Sequence, residues 1–449
     1  MNNRLPRPAR LLAKRAEGLL AALVMIVAML ASSCSDTNSG DARDLLATVP
    51  SDAAGVMVIN VRTVLDKTGY KVKDGVVTPP ADVKATLDTI KDKDEAETLK
   101  ALLAGDAGVA FSAAVCFYAD QPYLTLILDD PAKTRKFIAD KTGVEFVETD
   151  GVEISGDYAI KGTQLWVGAN YAPRPDQINR FETLSEKQSY LSSKYADKLT
   201  ALDHDFNAIA DLSGLSRISG YGRGSMTRQA AQLSMIASAI FEDPSYICLV
   251  GDLDKKASRF NLTLLNDDCN PAKYLLPAGK IDAAAVKTLG GTGNYAWAID
   301  VPSKLIKKIK TMASAFGGDL PPSVLGLLDP IDGTIAGIGI ESTDDYAMLV
   351  TTTGDGTSDL TSMLADMGAV TRDGKYVKVT AGDRKVTGPI TAEQAASLLK
   401  GAVAGGVFSD PQASHGVTRV SIIARNTDGG LNVEITVEGD PEKIMKKMH

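Results

Sequence analysis

The chain has 449 residues, a formal net charge of −8 at neutral pH, 44% hydrophobic and 6% aromatic residues, and four cysteines. That length admits two or three domains with full cores. An acidic chain without a basic cluster argues against nucleic acid as a partner, and with Trp166 and Trp297 as its two tryptophans it shows no stacking platform for sugars.

The N-terminus carries the most specific signal. Arg4, Arg7, Arg10, Lys14 and Arg15 precede an apolar run at 18–30, shorter than the roughly 18–20 residues a spanning helix needs. Ala31-Ser32-Ser33-Cys34 follows, then polar residues. This order resembles a bacterial lipoprotein signal peptide over residues 1–33, with Cys34 as the lipidated residue. Ala31 stands where that pattern usually has Leu, so cleavage of an ordinary secretory signal near Ser33 and an uncleaved anchor remain open alternatives. Acyl chains on Cys34, palmitate among them, would attach the protein stably, because stable attachment takes two or more signals. The first 34 residues hold five basic and one acidic residue, so the remainder is more acidic still. Lipid rather than charge must therefore hold it to a membrane. Residues 34–43 read as a flexible tether, with Asp36 as a weak sign of surface export.

Four segments, at 109–138, 246–276, 335–364 and 417–448, share one pattern. Each has an apolar strand, a polar turn, an alternating strand, an acidic or Gly-Asp corner and a helix. The turns at 119–122, 252–256, 342–345 and 426–430 supply the residues a β-hairpin loop wants. Leu431, Val433, Ile435 and Val437 show the alternation most clearly. Asp130-Pro131, Asn270-Pro271 and Asp440-Pro441 predict helix N-caps with Pro at the first helical position.

A short strand ending in Asn or Asp, then a helical stretch, precedes three of these units, at 53–65, 204–218 and 294–309. The fourth unit has no clear copy, and 376–388 parallels 150–168. Further helices are expected at 80–104, as an exposed insertion, and at 176–202, 226–240 and 391–404. The chain therefore reads as α+β, internally duplicated, with mainly antiparallel sheets built from repeated strand-helix-hairpin-helix units. The halves are 44–277 and 281–449.

Each candidate site has a plainer explanation in capping or packing. The corners Asp129-Asp130, Asp267-Asp268 and Gly439-Asp440 suit helix capping, where a carboxylate accepts free N–H groups. The segment 341–346 lacks the Gly and distal Glu of a calcium loop. His204, His415 and His449 read as turn or terminal residues, without a neighbouring nucleophile motif or a zinc arrangement. The glycines at 219–225 and 290–293 read as linkers, the second joining the halves. Arg223 could hold an anion at the start of 226–240, but the lysine of a phosphate-binding loop is absent. Cys116 and Cys248 lie in strand-like contexts, so these and Cys269 read as buried free thiols rather than one disulfide plus a thiol. Trp297 reads as core. Asp88-Thr89-Ile90 resembles an O-glycosylation acceptor of Bacteroidetes. No catalytic set, metal set or cofactor motif emerges.

Leu46-Ala47-Thr48-Val49-Pro50-Ser51-Asp52-Ala53-Ala54, leading into Val56-Met57-Val58-Ile59-Asn60, resembles a family of large Bacteroidetes envelope lipoproteins of unknown function. There a Val-Pro-x-Asp-Ala opening introduces a strand, a short helix and repeated hairpins. The resemblance covers most of the chain after the signal and implies no catalytic residues. The expectation is a lipid-anchored cell-envelope protein at the outer membrane, facing the periplasm or the cell surface. It would be non-enzymatic and would bind or scaffold a protein or glycan partner. Two alternatives stand beside it: an envelope hydrolase or glycan-active enzyme using dispersed acids, and a surface binder of glycans or host ligands.

Overall fold

A computed structural model describes residues 39–439 except 68, 74–75, 82–83, 85–92, 169–171, 215–236, 255–256, 278, 316–327, 341–344, 355–357, 383–386, 411–416 and 428–429. Cys34, Asp88-Thr89-Ile90, the glycines at 219–225, His415, Asp440-Pro441 and His449 lie outside the described residues.

The first part of the chain supplies β1 (Gly55–Ile59), β2 (Val109–Tyr118), β3 (Pro122–Leu128), β4 (Tyr158–Lys161) and β5 (Gln164–Gly168). It continues with β6 (Phe206–Asp211), β7 (Tyr246–Asp252) and β8 (Ala257–Leu265). The second part supplies β9 (Tyr295–Val301), β10 (Ile331–Gly339), β11 (Tyr346–Thr352) and β12 (Tyr376–Ala381). It ends with β13 (Ala404–Ser409), β14 (Val417–Thr427) and β15 (Gly430–Gly439).

These strands form one sheet in the order β4-β5-β3-β2-β1-β6-β7-β8-β15-β14-β13-β9-β10-β11-β12. Every registered pair among the described residues is antiparallel. The class is α+β. All four expected hairpins are present, as β2/β3, β7/β8, β10/β11 and β14/β15. β-branched and aromatic residues at alternate positions suit such half-buried pleated surfaces.

Because residues opposite each other in a ladder point to the same side, the register sorts side chains into two faces. On the Val56 face, α1 (Ser39–Ala47), α5 (Pro175–Glu182) and α6 (Ala196–Thr200) cover the first part, burying Leu45, Leu46, Ile178, Phe181, Leu199 and Trp166. On the same face α7 (Ala283–Thr288) and α10 (Ala392–Leu399) cover the second part, with Leu289, Leu349 and Leu399 in its core. The opposite, Met57 face is covered at one end by α2 (Val61–Lys67), α3 (Lys93–Leu103) and α4 (Pro131–Thr142). At its other end lie α8 (Ser303–Ala315) and α9 (Ser358–Ala365).

Local sequence explains several helix ends. Asp130 caps α4 by accepting from the N–H groups of Ala132 and Lys133 at 3.0 and 3.1 Å, with Pro131 at the first position. Gly143 ends the helix at φ +71°, a left-handed conformation that suits glycine. Thr391 and Gln394 form a capping box on α10.

Four expectations are corrected. No helix starts at Pro271. Asn266 Oδ1 instead accepts from the N–H groups of Asp268 and Asn270, Cys269 takes φ +64°, and Pro271 returns to bridge Leu265. The corner Asp267-Asp268 is thus a side-chain-closed turn. The helical insertion within 80–104 is not simply exposed, since Leu99 and Leu102 of α3 are buried in the first core. Trp297 is not core but 36% exposed, because the pleat turns it away from the face that α7 and α10 cover. The glycines Gly290 and Gly291 end α7 with φ of +62° and +70°, inside the second part rather than between the parts.

Candidate binding site

Two concave sites stand out, one on each face. The larger lies on the Met57 face over β3, β2, β1, β6 and β7, with a volume of about 570 Å³. Its floor is a cross-strand row: Leu124 opposite Cys116, Cys116 opposite Met57, Met57 opposite Ala208, and Ala208 opposite Leu249. Tyr118 and Pro122 contribute near the β2/β3 turn. Among the described residues no charged side chain lines it. The volume falls within the roughly 300–1,000 Å³ of small-molecule sites.

Cys116 is a free thiol within that apolar row, and burial pushes it up to about 12. A thiol so poorly ionised at neutral pH is a weak nucleophile. The cavity can therefore exclude water and hold apolar surface, and its described lining offers no acid, base or activated nucleophile.

The smaller site lies on the Val56 face and has a volume of about 240 Å³, lined by Tyr195, Lys198, Asp203, His204, Asn207 and Cys248 among others. His204 Nδ1 lies 2.8 Å from Asp252 Oδ2. Lys67 Nζ reaches Asp205 Oδ1 at 2.8 Å and Asp252 Oδ1 at 3.7 Å, and the Leu253 N–H donates to Asp205 Oδ2 at 2.6 Å. Asn207 is 6% exposed and its Nδ2 has no partner among the described residues. Such a corner suits ordered water. Burial also raises the Cys248 thiol above its ordinary value, the opposite of what a thiolate nucleophile beside His204 would need.

Sequence reasoning placed His204 in a turn at the start of a strand, and the structure adds its partner Asp252 from the next strand. Cys116, Cys248 and Cys269 are free thiols, and Cys116 and Cys248 line different cavities on opposite faces. Reading single segments does not find the larger cavity, since its floor joins residues from separate strands. The available signal was the run of small and aliphatic residues at Met57, Cys116, Ala208 and Leu249.

Comparisons with known proteins add little. No family model matches the chain, and no curated protein matches it. Two crystal forms of TP0453 are similar over 79% and 78% of this chain and 96% of theirs, at 10% identity with TM-scores of 0.26 and 0.28. Scores at that level identify no shared fold. Among the described residues no helix is long and apolar enough to cross a membrane, and no group of three or more His, Cys, Asp or Glu could hold a metal ion.

Proposed function

We propose that this chain is a lipid-anchored, non-enzymatic envelope protein that binds an apolar ligand in the cavity on the Met57 face. The observation that carries the binding role is the cavity itself, large enough for a small molecule and lined by apolar side chains. Transfer of apolar surface into it releases about 25 cal/mol per Å², and no described lining group opposes that by requiring a polar partner.

Attachment through Cys34 rests on the signal-like N-terminus. Ser39, the start of α1, lies five positions after Cys34, and an extended chain spans at most about 3.6 Å per residue. A lipid on Cys34 would hold the α1 side of the sheet within roughly 18 Å of the bilayer. The outer membrane is the expected site, with the body facing the periplasm or the cell surface.

The body is read as an internal duplication. Support comes from strand order: β5-β3-β2-β1-β6-β7-β8 in the first part is matched by β12-β11-β10-β9-β13-β14-β15 in the second. The short helices after β1 and β9, namely α2 and α8, both pack on the Met57 face. The last strands of the two parts, β8 and β15, pair with each other, as a pseudo-twofold arrangement would have it.

Two experiments test the reading. Mass spectrometry of the N-terminal peptide should find Cys34 acylated, and an unmodified thiol would remove the anchor. Anilinonaphthalene sulfonate should brighten with the full chain and lose that response in Ala208→Leu, which fills the cavity. An unchanged response in that variant would remove the binding role.

A further inference from the structure

The cavity is lined as far as β7, but the apolar face that forms its floor extends further. On that face Leu249 lies opposite Leu262, and Leu262 opposite Val433. The row then passes through β14 and β13 to Ile299 on β9. A parallel row runs beside it through Ile422 and Trp297.

This strip is apolar, partly exposed along β7, β8 and β15 and open at its β14 and β9 end. Ile422, Ile299 and Trp297 are 49%, 37% and 36% exposed. No registered residue on the Met57 face of β7, β8, β15, β14, β13 or β9 carries a charge. The charges of these strands lie on the other face, where Arg425 pairs with Glu434 at 3.4 Å and Arg419 with Glu438 at 3.8 Å. Five strand spacings separate β7 from β9, about 24 Å. Along the strands the two rows lie two residues apart, about 7 Å.

Shape and continuity together select the occupant. A compact ring system would fill the cavity and leave the strip in water. A flexible linear chain can enter the cavity and lie along the strip, keeping its polar end in solvent. We propose that cavity and strip form one track for a single linear hydrocarbon chain, the acyl chain of a free fatty acid. This rests on the apolar-ligand reading of the cavity.

Bromine quenching of tryptophan tests it, because quenching needs near contact and Trp166 is fully buried on the other face. The full chain and its Trp297→Phe variant are titrated with dibromostearate, with oleate as the unbrominated control, and with vesicles of brominated phosphatidylcholine. The expected result is loss of at least half of the emission that Trp297 contributes, absent with oleate and absent in Trp297→Phe. Quenching by the free acid supports the track, whereas quenching by vesicles alone places the face on a bilayer and overturns it.

Uptake of anilinonaphthalene sulfonate with no quenching by either brominated probe overturns the track and leaves cavity binding standing. Failure of all three probes overturns both. Trp297 emission that shifts with protein concentration alone shows a second copy on the strip, which also overturns the proposal. Ala208→Leu, which leaves the strip intact, should abolish quenching by dibromostearate, and full quenching in that variant overturns the track.

Discussion

The indole of Trp297 lies across Gly337 on the neighbouring strand, so closely that a β-carbon at Gly337 would meet Nε1 at 2.6 Å. The missing side chain lets the ring rest on the sheet instead of standing into water. Phe206 treats Gly251 in the same way, with a β-carbon there only 2.0 Å from the ring. Aromatic cover over strand glycines offsets the weakness that glycine brings to a sheet.

Gly337→Ala should therefore lift the indole into solvent. The expected outcome is a red-shifted Trp297 emission and a loss of about 1–3 kcal/mol, the ordinary cost of an overpacked contact. Fluorescence and urea titration of the same variant check both parts. Unchanged emission would show that the ring does not rest on Gly337.

Adjacent residues on β14 separate the two faces. Ile423 is 3% exposed in the core under α7 and α10, while Ile422 is 49% exposed. Ile423→Ala should cost about 2–5 kcal/mol, whereas Ile422→Ala should stay within about 0.5 kcal/mol, as exposed substitutions do. Equal losses in urea titration would mean that the strand is turned differently or that the strip is covered.

At the helix caps, Asp130→Ala should cost about 0.5–2 kcal/mol, because two N–H groups of α4 lose their acceptor. Asp268→Ala should be near neutral by the same measurement. Its corner caps no helix, and its carboxylate reaches the exposed Lys194 at 3.0 Å.

Much of this architecture was legible in the sequence. The four hairpins followed from turn residues between alternating strands, and Asp130-Pro131 marked the start of α4. Asn270-Pro271 carried the same local mark but failed, because Asn266 captures the backbone N–H groups first. Alternation also identified which residues of β9 share a side, yet not which side receives helices. For that reason Trp297 read as core. The cavity floor was hidden for a related reason: Met57, Cys116 and Leu249 meet only after distant strands pair.

Alkaline pH offers a test of Cys116. Its thiol is pushed up to about 12 in the folded protein, against about 8.5 for an unfolded cysteine. Between those values the unfolded chain loses the proton and the folded chain keeps it. Its contribution is thus whole at lower pH and is lost as pH rises toward 12. Cys116→Val should flatten the part of the alkaline decline that this thiol causes, as read from urea midpoints across that range. An identical decline in both proteins would place the thiol in water.

The central claim is that the Met57 face holds an apolar ligand, and the most direct measurement is chemical. The full chain is recovered from bacterial envelopes, freed of detergent, and extracted with organic solvent alongside Ala208→Leu and Leu249→Glu. Circular dichroism and thermal midpoints report whether each variant is folded. Near-stoichiometric acyl lipid from the unaltered chain, and little from a folded variant, is the predicted result. No bound lipid in the unaltered chain, or equal amounts in all three, would contradict it.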